Sequence, residues 1–184
     1  MRIVVAMSGA SGAIYGIRLL ESLRALDMEV HLVVSRWGKE TIKTETAHEY
    51  EQVTRLATHC WENGNLGAPI SSGSFKHDGM VIIPCSMKTV AGIAHGLGDN
   101  LIVRAADVTI KEKRKLVIVP RETPLSQIHL QNLLTLSQLG ATIIPPMPAF
   151  YNKPKDLNDI INHLVSRVLD HLGINNELAP RWGG

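Results

Sequence analysis

Residues 3–13 read Ile3-Val4-Val5-Ala6-Met7-Ser8-Gly9-Ala10-Ser11-Gly12-Ala13, and apolar residues then recur at Ile14, Ile17, Leu20, Leu23 and Leu26. An unbroken apolar run, a glycine turn and a period near 3.6 predict strand, turn and helix in that order. A second apolar run at residues 30–34 completes a βαβ unit. Neither run alternates polar with apolar residues, so both strands are expected to be buried on two faces, as in a parallel sheet.

Outward from this unit the pattern repeats. Residues 39–61 are polar and charged, with sparse apolar positions at Ile42, Tyr50, Val53 and Leu56, and read as amphipathic helices. Residues 63–69 and 71–74 read as loops. A strand over 80–83 is expected to stop at Pro84, and Ser86 to cap the helix that follows. Helical spacing over 101–110, a strand over 116–119 ending at Pro120, a helix over 123–139, a strand over 142–144 and a helix over 156–172 complete the chain. Five strands alternating with helices predict one domain, residues 1–184, with an α/β fold. The expected architecture is a three-layer α/β/α Rossmann-like one with a central parallel sheet, whose ligand belongs at the carboxyl ends of the strands.

The composition suits one core: 184 residues, 45% of them hydrophobic. Lys+Arg 19 against Asp+Glu 17 leaves a charge of +2, too little to hold nucleic acid or an anionic membrane by bulk charge. Aromatic residues make up 4%, which argues against readers of single strands or sugars that rely on stacking. The two cysteines, Cys60 and Cys85, cannot staple a secreted scaffold and show no zinc-ligand spacing, so a reducing cytoplasm is expected. No apolar run approaches membrane-spanning length, and the short apolar start is too brief for an export signal.

Residues able to bind ligands follow several strands: Gly9 to Gly12, Ser35, Ser86 to Thr89, and Arg121-Glu122-Thr123. In a parallel sheet these ends share one edge and converge on one cleft. The glycine turn lets backbone N–H groups approach an anion at a helix start. It is neither Gly-x-Gly-x-x-Gly nor an ATP-type P-loop, and Ser35-Arg36 stands where an NAD site would carry an acid. A mononucleotide phosphate and a purely structural tight turn both fit it.

Three motifs in order, Ser8-Gly9-Ala10-Ser11-Gly12, Pro84-Cys85-Ser86-Met87-Lys88-Thr89 and Pro120-Arg121-Glu122-Thr123-Pro124-Leu125, resemble the UbiX-type flavin prenyltransferases, and the likeness runs as far as Trp182. The resemblance implies an enzyme that joins a dimethylallyl group from dimethylallyl monophosphate to N5 and C6 of reduced FMN. Its product would serve a separate UbiD-type decarboxylase, and its assembly would be a homododecamer with flavin near subunit contacts. By resemblance Gly9, Ala10, Ser11, Ser35, Ser86, Met87, Lys88 and Thr89 hold FMN with Arg121 beside it. Lys111, Arg121, Glu122, Tyr151 and Arg167 surround the prenyl phosphate, with Trp182 near the same pocket. Lys111, Arg121 and Glu122 are the expected catalytic groups. No metal is called for, since preorganised cations can stabilise a leaving phosphate as its charge grows, and a carboxyl beside it can move a proton.

Plainer readings stand beside each of these. Arg121 and Glu122 could be a surface ion pair, Lys111 part of the solvated run Lys111-Glu112-Lys113-Arg114-Lys115, Arg167 a snorkelling residue and Tyr151 packing. Cys85 is expected to be buried and inert, and His129 and His163 to play ordinary polar or packing roles. Two other functions compete: an FMN-dependent cysteine-type decarboxylase, which differs at the Ser86-Met87-Lys88-Thr89 turn and uses a His, so that His48 and His59 bear on it faintly, and a noncatalytic flavin-binding protein.

Overall fold

The apolar run that opens the chain forms β1 (Arg2–Met7), and its alternate residues feed two separate cores. Ile3, Val5 and Met7 face one hydrophobic cluster, while Val4 and Ala6 face the other. This two-sided burial is why the run does not alternate. The computed structural model describes residues 1–183. After β1 come α1 (Ala13–Ala25), β2 (Glu29–Val34), α2 (Arg36–Glu45), α3 (Tyr50–Thr54), β3 (His59–Glu62), β4 (Gly79–Cys85) and α4 (Met87–Ala94). Then follow α5 (Leu101–Lys111), β5 (Lys115–Pro120), α6 (Gln127–Gln138), β6 (Thr142–Ile143) and α7 (Leu157–Leu172).

The strands form one sheet in the order β3-β2-β1-β4-β5-β6, and every pairing is parallel. Helices α1 and α7 cover one face through Ile17, Leu20, Leu23, Val165 and Leu169. Helices α4, α5 and α6 cover the other through Val90, Leu101, Ala105 and Leu136. The three-layer α/β/α Rossmann-like arrangement follows, with the order reversing at β1, where the chain leaves one half of the sheet for the other. Among the described residues no helix is long and apolar enough to cross a membrane.

Three expectations need correction. The sheet has six strands rather than five, because residues 59–61, read as helical, belong to β3, which pairs with β2 from His31–His59 to Val34–Glu62. Its sequence, His-Cys-Trp-Glu, lies at the sheet edge and buries little, so no apolar run marks it. Strand β4 does not stop before Pro84 but runs to Cys85, and its register against β5 slips between Ile82 and Cys85, across the residue that lacks an N–H. Helix α6 begins at Gln127 rather than residue 123, since Ser126 caps it by accepting from the His129 N–H.

Two loops at the carboxyl edge are spliced by Ser8. Its N–H and its Oγ both donate to the Pro84 carbonyl, at 3.1 and 3.2 Å, while its Oγ accepts from the Ser86 N–H at 2.7 Å. Ser8 is 2% exposed, so no water replaces these bonds. Ser8→Ala leaves the Ser86 N–H without a partner, and an orphaned buried donor costs about 1–3 kcal/mol. A urea melt of the variant is expected to show a loss of that size. Wild-type stability would mean the splice contributes nothing.

The two thiols differ in the same measurable way. Burial pushes the Cys85 thiol well above the usual range, and Cys60 is exposed. A neutral-pH alkylating reagent is therefore expected to label Cys60 and spare Cys85 until the protein is unfolded, which peptide mapping by mass resolves.

Candidate functional site

The carboxyl ends of β1, β2 and β4 open into a cleft of about 730 Å3. That lies within the range of about 300–1,000 Å3 usual for small-molecule sites. Trp37, Leu97, Ile102 and Val103 supply apolar wall, and Ser8, Ser35, Ser86 and Thr89 supply hydroxyls.

Three helices start at this cleft, each capped by a side chain. Ser35 Oγ accepts from the Gly38 N–H at 3.0 Å, Ser86 Oγ from the Thr89 N–H at 3.3 Å, and Asn100 Oδ1 from the Val103 N–H at 3.2 Å. A capping hydroxyl accepts from the backbone and keeps its own proton, so Ser35 can still donate into the cleft. Neither α2 nor α4 has an acidic residue in its first turn. Their N-terminal dipoles are therefore uncancelled, and with Arg36 and Lys88 in the lining they make the cleft attractive to an anion.

The glycine turn behaves differently from its sequence reading. Gly12 adopts φ 106°, open to glycine and strained for other residues, and caps α1. The N–H groups of Gly12 and Ala13 both donate to Glu45 Oε2, at 2.8 and 3.2 Å. The anion at this helix start is thus the protein's own carboxylate, delivered from the last residue of α2. The α2 and α4 starts have no such carboxylate in their first turns. Gly9 is needed for another reason: a β-carbon there would run into Trp37, which stands in the cleft wall.

Of the residues expected to hold FMN, Gly9, Ser35, Ser86, Lys88 and Thr89 line the cleft. Ala10 and Ser11 lie beyond its lining, and Met87 turns away into the core, 7% exposed. Trp37, Asn63 and Asn100 line it without having been singled out in the sequence. Asn100 was within reach of sequence reasoning, as a capping residue after Gly98-Asp99 and before an apolar helix.

The expected prenyl-phosphate residues fall into three places. Arg121 begins where β5 ends, its N–H donating to the Cys85 carbonyl at 3.1 Å, one residue before the Ser86 turn. Glu122 follows it, exposed, its Oε1 accepting from the Thr123 N–H at 3.1 Å. Tyr151 and Trp182 meet edge to face at 5.2 Å, and the Tyr151 hydroxyl lies 2.9 Å from His163 Nε2. Arg167 lies one turn further along α7 from His163 and pairs with Asp170 at 2.9 Å. Lys111 is brought to none of these. It ends α5, whose 11 residues rise about 16 Å from the cleft toward the amino edge of the sheet, where Lys111 pairs with Glu112 at 3.0 Å. Ser72 and Ser74, in the neighbouring loop, bond one another at 2.9 Å.

Glu29, His31 and His59 place three potential metal-ligating atoms within 4.8 Å of one another. The bonding there is already committed. The Trp61 indole N–H donates to His31 Nδ1 at 3.1 Å, so the proton of neutral His31 sits on Nε2, which faces Glu29 Oε1 at 3.0 Å. Burial lowers the His31 pKa and keeps the ring neutral, while Arg2 and His31 hold Glu29 down to about 2. These groups brace the short edge strand β3 rather than offer a site.

A family model described as Flavoprotein matches residues 1–169. Flavin prenyltransferase LpdB of Lactiplantibacillus plantarum is 59% identical, covering 100% of this chain and 98% of that protein. The crystal structure of AnUbiX (PadA1) in complex with FMN and dimethylallyl pyrophosphate superposes with a TM-score of 0.98 at 50% identity, covering 100% of this chain and 97% of that one. A dodecameric FMN-dependent UbiX-like decarboxylase from Escherichia coli O157:H7 also gives 0.98, at 52% identity over 100% of both chains. Full-length identity at this level, on the same fold, makes this chain a member of the flavoprotein family and, within it, of the UbiX-type flavin prenyltransferases.

Proposed function

We propose that the chain, acting as one domain over residues 1–184, transfers the dimethylallyl group of dimethylallyl monophosphate to N5 and C6 of reduced FMN. The prenylated flavin then passes to a UbiD-type decarboxylase. The observation that carries this reading is the bond from the Arg121 N–H to the Cys85 carbonyl, which sets a cation and a carboxyl beside the turn that opens α4. Only a donor with its own phosphate gives that second charged group something to do.

The residues present suit FMN. Two capped helix starts with Ser35, Ser86, Thr89 and Lys88 can take its phosphate, and the apolar wall of Trp37, Ile102 and Val103 suits a flat ring system. Bound and reduced, the flavin supplies the nucleophilic nitrogen and carbon that accept the prenyl group. Breaking the allylic C–O bond leaves a phosphate carrying new charge and a delocalised cation. Arg121 and Arg167 stabilise the first with guanidinium donors. Glu122 holds the proton that the leaving oxygen takes up and receives the one later lost from C6. Tyr151 donates its hydroxyl to the phosphate, and the Trp182 ring shelters the cation.

Lys111 cannot join this set within one chain. In a homododecamer like that of the Escherichia coli relative, it reaches the site from a neighbouring copy, so assembly completes the cluster of cations. The same assembly covers Met147, Phe150 and Trp182, which stand 72%, 69% and 80% exposed on a single chain. We assign the enzyme to the cytoplasm, a reading supported by the free thiols Cys60 and Cys85.

Two measurements test the reading. Reduced FMN and dimethylallyl monophosphate supplied without oxygen are expected to yield a flavin heavier by one C5 unit, and an unchanged mass from folded, flavin-bound protein would overturn it. Glu122→Gln is expected to bind FMN as the wild type does and to slow product formation by roughly 100-fold or more, the usual contribution of a positioned acid or base. Full turnover in that variant would remove Glu122 from the chemistry.

A further inference from the structure

We propose that His163 is a positioning residue for the prenyl donor, holding Tyr151 so that its phenolic proton points at the leaving phosphate; this rests on the placement of Tyr151 at that phosphate given above. The two side chains come from different elements. Tyr151 follows β6 in an irregular segment, whereas His163 sits in the second turn of α7, a rigid helix whose Ile161, Leu164 and Val165 are packed into the core. The Tyr151 hydroxyl and His163 Nε2 are 2.9 Å apart, the rings meet edge to face at 5.7 Å, and Trp182 bears on Tyr151 at 5.2 Å. A tyrosine in a loop is thereby tied to the helix and held by two rings.

The chemistry selects the direction of the bond. A phenol has one proton. If His163 Nε2 is bare, that proton goes to the imidazole, and the tyrosine turns only lone pairs toward the site, which repel a phosphate. If Nε2 carries the hydrogen, it donates to the phenolic oxygen, and the O–H is free to donate outward. A phosphate at Tyr151 therefore favours the Nε2–H tautomer. As the C–O bond breaks and negative charge grows on the phosphate, a chain from His163 through Tyr151 to that oxygen strengthens along its length. Burial and the charge of Arg167 lower the His163 pKa, so the ring is neutral near pH 7 and its tautomer, rather than its charge, sets the direction.

Steady-state prenylation at saturating reduced FMN, with dimethylallyl monophosphate varied, separates the possibilities. Tyr151→Phe is expected to lower kcat/KM about 10-fold, the size of one hydrogen bond to an anion. His163→Phe and His163→Leu are expected to cost about the same, whereas His163→Gln, whose amide N–H can donate to the phenol, recovers most of the loss. Tyr151→Phe/His163→Phe is expected to be no worse than Tyr151→Phe alone, because both act through one hydroxyl. Inhibition by inorganic phosphate should weaken in parallel, while FMN affinity stays at its wild-type value. If Tyr151→Phe leaves kcat/KM intact, the placement of Tyr151 at the phosphate fails and the inference with it. If Tyr151→Phe is impaired, the placement stands and the inference alone is decided by the rest. It is overturned if either apolar His163 variant with wild-type FMN affinity matches the wild type, or if the two penalties multiply. It is also overturned if His163→Gln is as poor as His163→Leu.

Discussion

One buried hydroxyl ties the functional edge of this molecule together. Ser8 terminates β1, and its backbone and side chain bind the Pro84 carbonyl and the Ser86 N–H across the neighbouring strand. The spacing of the two loops is therefore fixed by three short bonds in a site that water does not reach. From Ser8 the chain continues into Gly9 and the turn before α1; from Ser86 it continues into α4. Arg121 is drawn into the same arrangement because its N–H donates to the carbonyl of Cys85, the residue between Pro84 and Ser86. Three strands thus end in register, and each hands one functional segment to the same edge. Cys85 at the centre of this knot is inert through burial, not through lack of neighbours.

Electrostatics then divides the helix starts between two tasks. A helix N-terminus attracts whatever anion is near, so a fold that gathers several at one edge must keep some for itself and leave others free. The α1 start is kept: Glu45 satisfies Gly12 and Ala13. The α2 and α4 starts are left without acidic residues in their first turns, capped by the Ser35 hydroxyl, whose proton remains to be donated, and by the Ser86 hydroxyl, which shares one proton with Thr89 Oγ1. Because Glu45 ends α2, the same bond clamps α2 against α1 and so steadies Trp37 and Ser35 at the other end of that helix. A carboxylate with a structural task thereby shapes the cleft without lining it.

Where the residues carry a strong period, the sequence was enough to place them. The apolar runs of β1, β2, β4 and β5 and the spacing of α1, α5 and α7 lead directly to a parallel sheet between helix layers, since burial on both faces leaves no alternation to misread. Strand β3 was not legible because it is an edge, paired through its backbone and buried by little more than Trp61 against His31. Pro84 misled for a related reason: it removes one ladder bond, yet the strand resumes at Cys85. The anion reading of the glycine turn missed Glu45, whose approach spans 33 residues of separation that no local pattern encodes. Trp37 escaped notice because nothing in its neighbours distinguishes a wall of a cleft from an exposed aromatic.

The position of Lys111 sets the hardest constraint on the proposed mechanism. A phosphate leaving group without a metal asks for several cations, and one chain disperses the proposed set: Arg121 follows β5 at the carboxyl edge, Arg167 lies near the end of α7, which meets Lys115 at the start of β5, and Lys111 ends α5. Side-chain rotation cannot carry Lys111 back along the roughly 16 Å of α5 to the cleft. Either the charge is supplied by two arginines alone or a second chain brings its own Lys111. The exposed apolar residues beside Tyr151 argue for the second, because Met147, Phe150 and Trp182 left in water would forfeit about 25 cal/mol for every square ångström of apolar surface that an interface could cover. An interface there would also keep water from an allylic cation, which a lone open cleft cannot do. In the proposed assembly, burial of surface, completion of the charge cluster and protection of the intermediate would be one event, with the isolated chain holding only part of the proposed site.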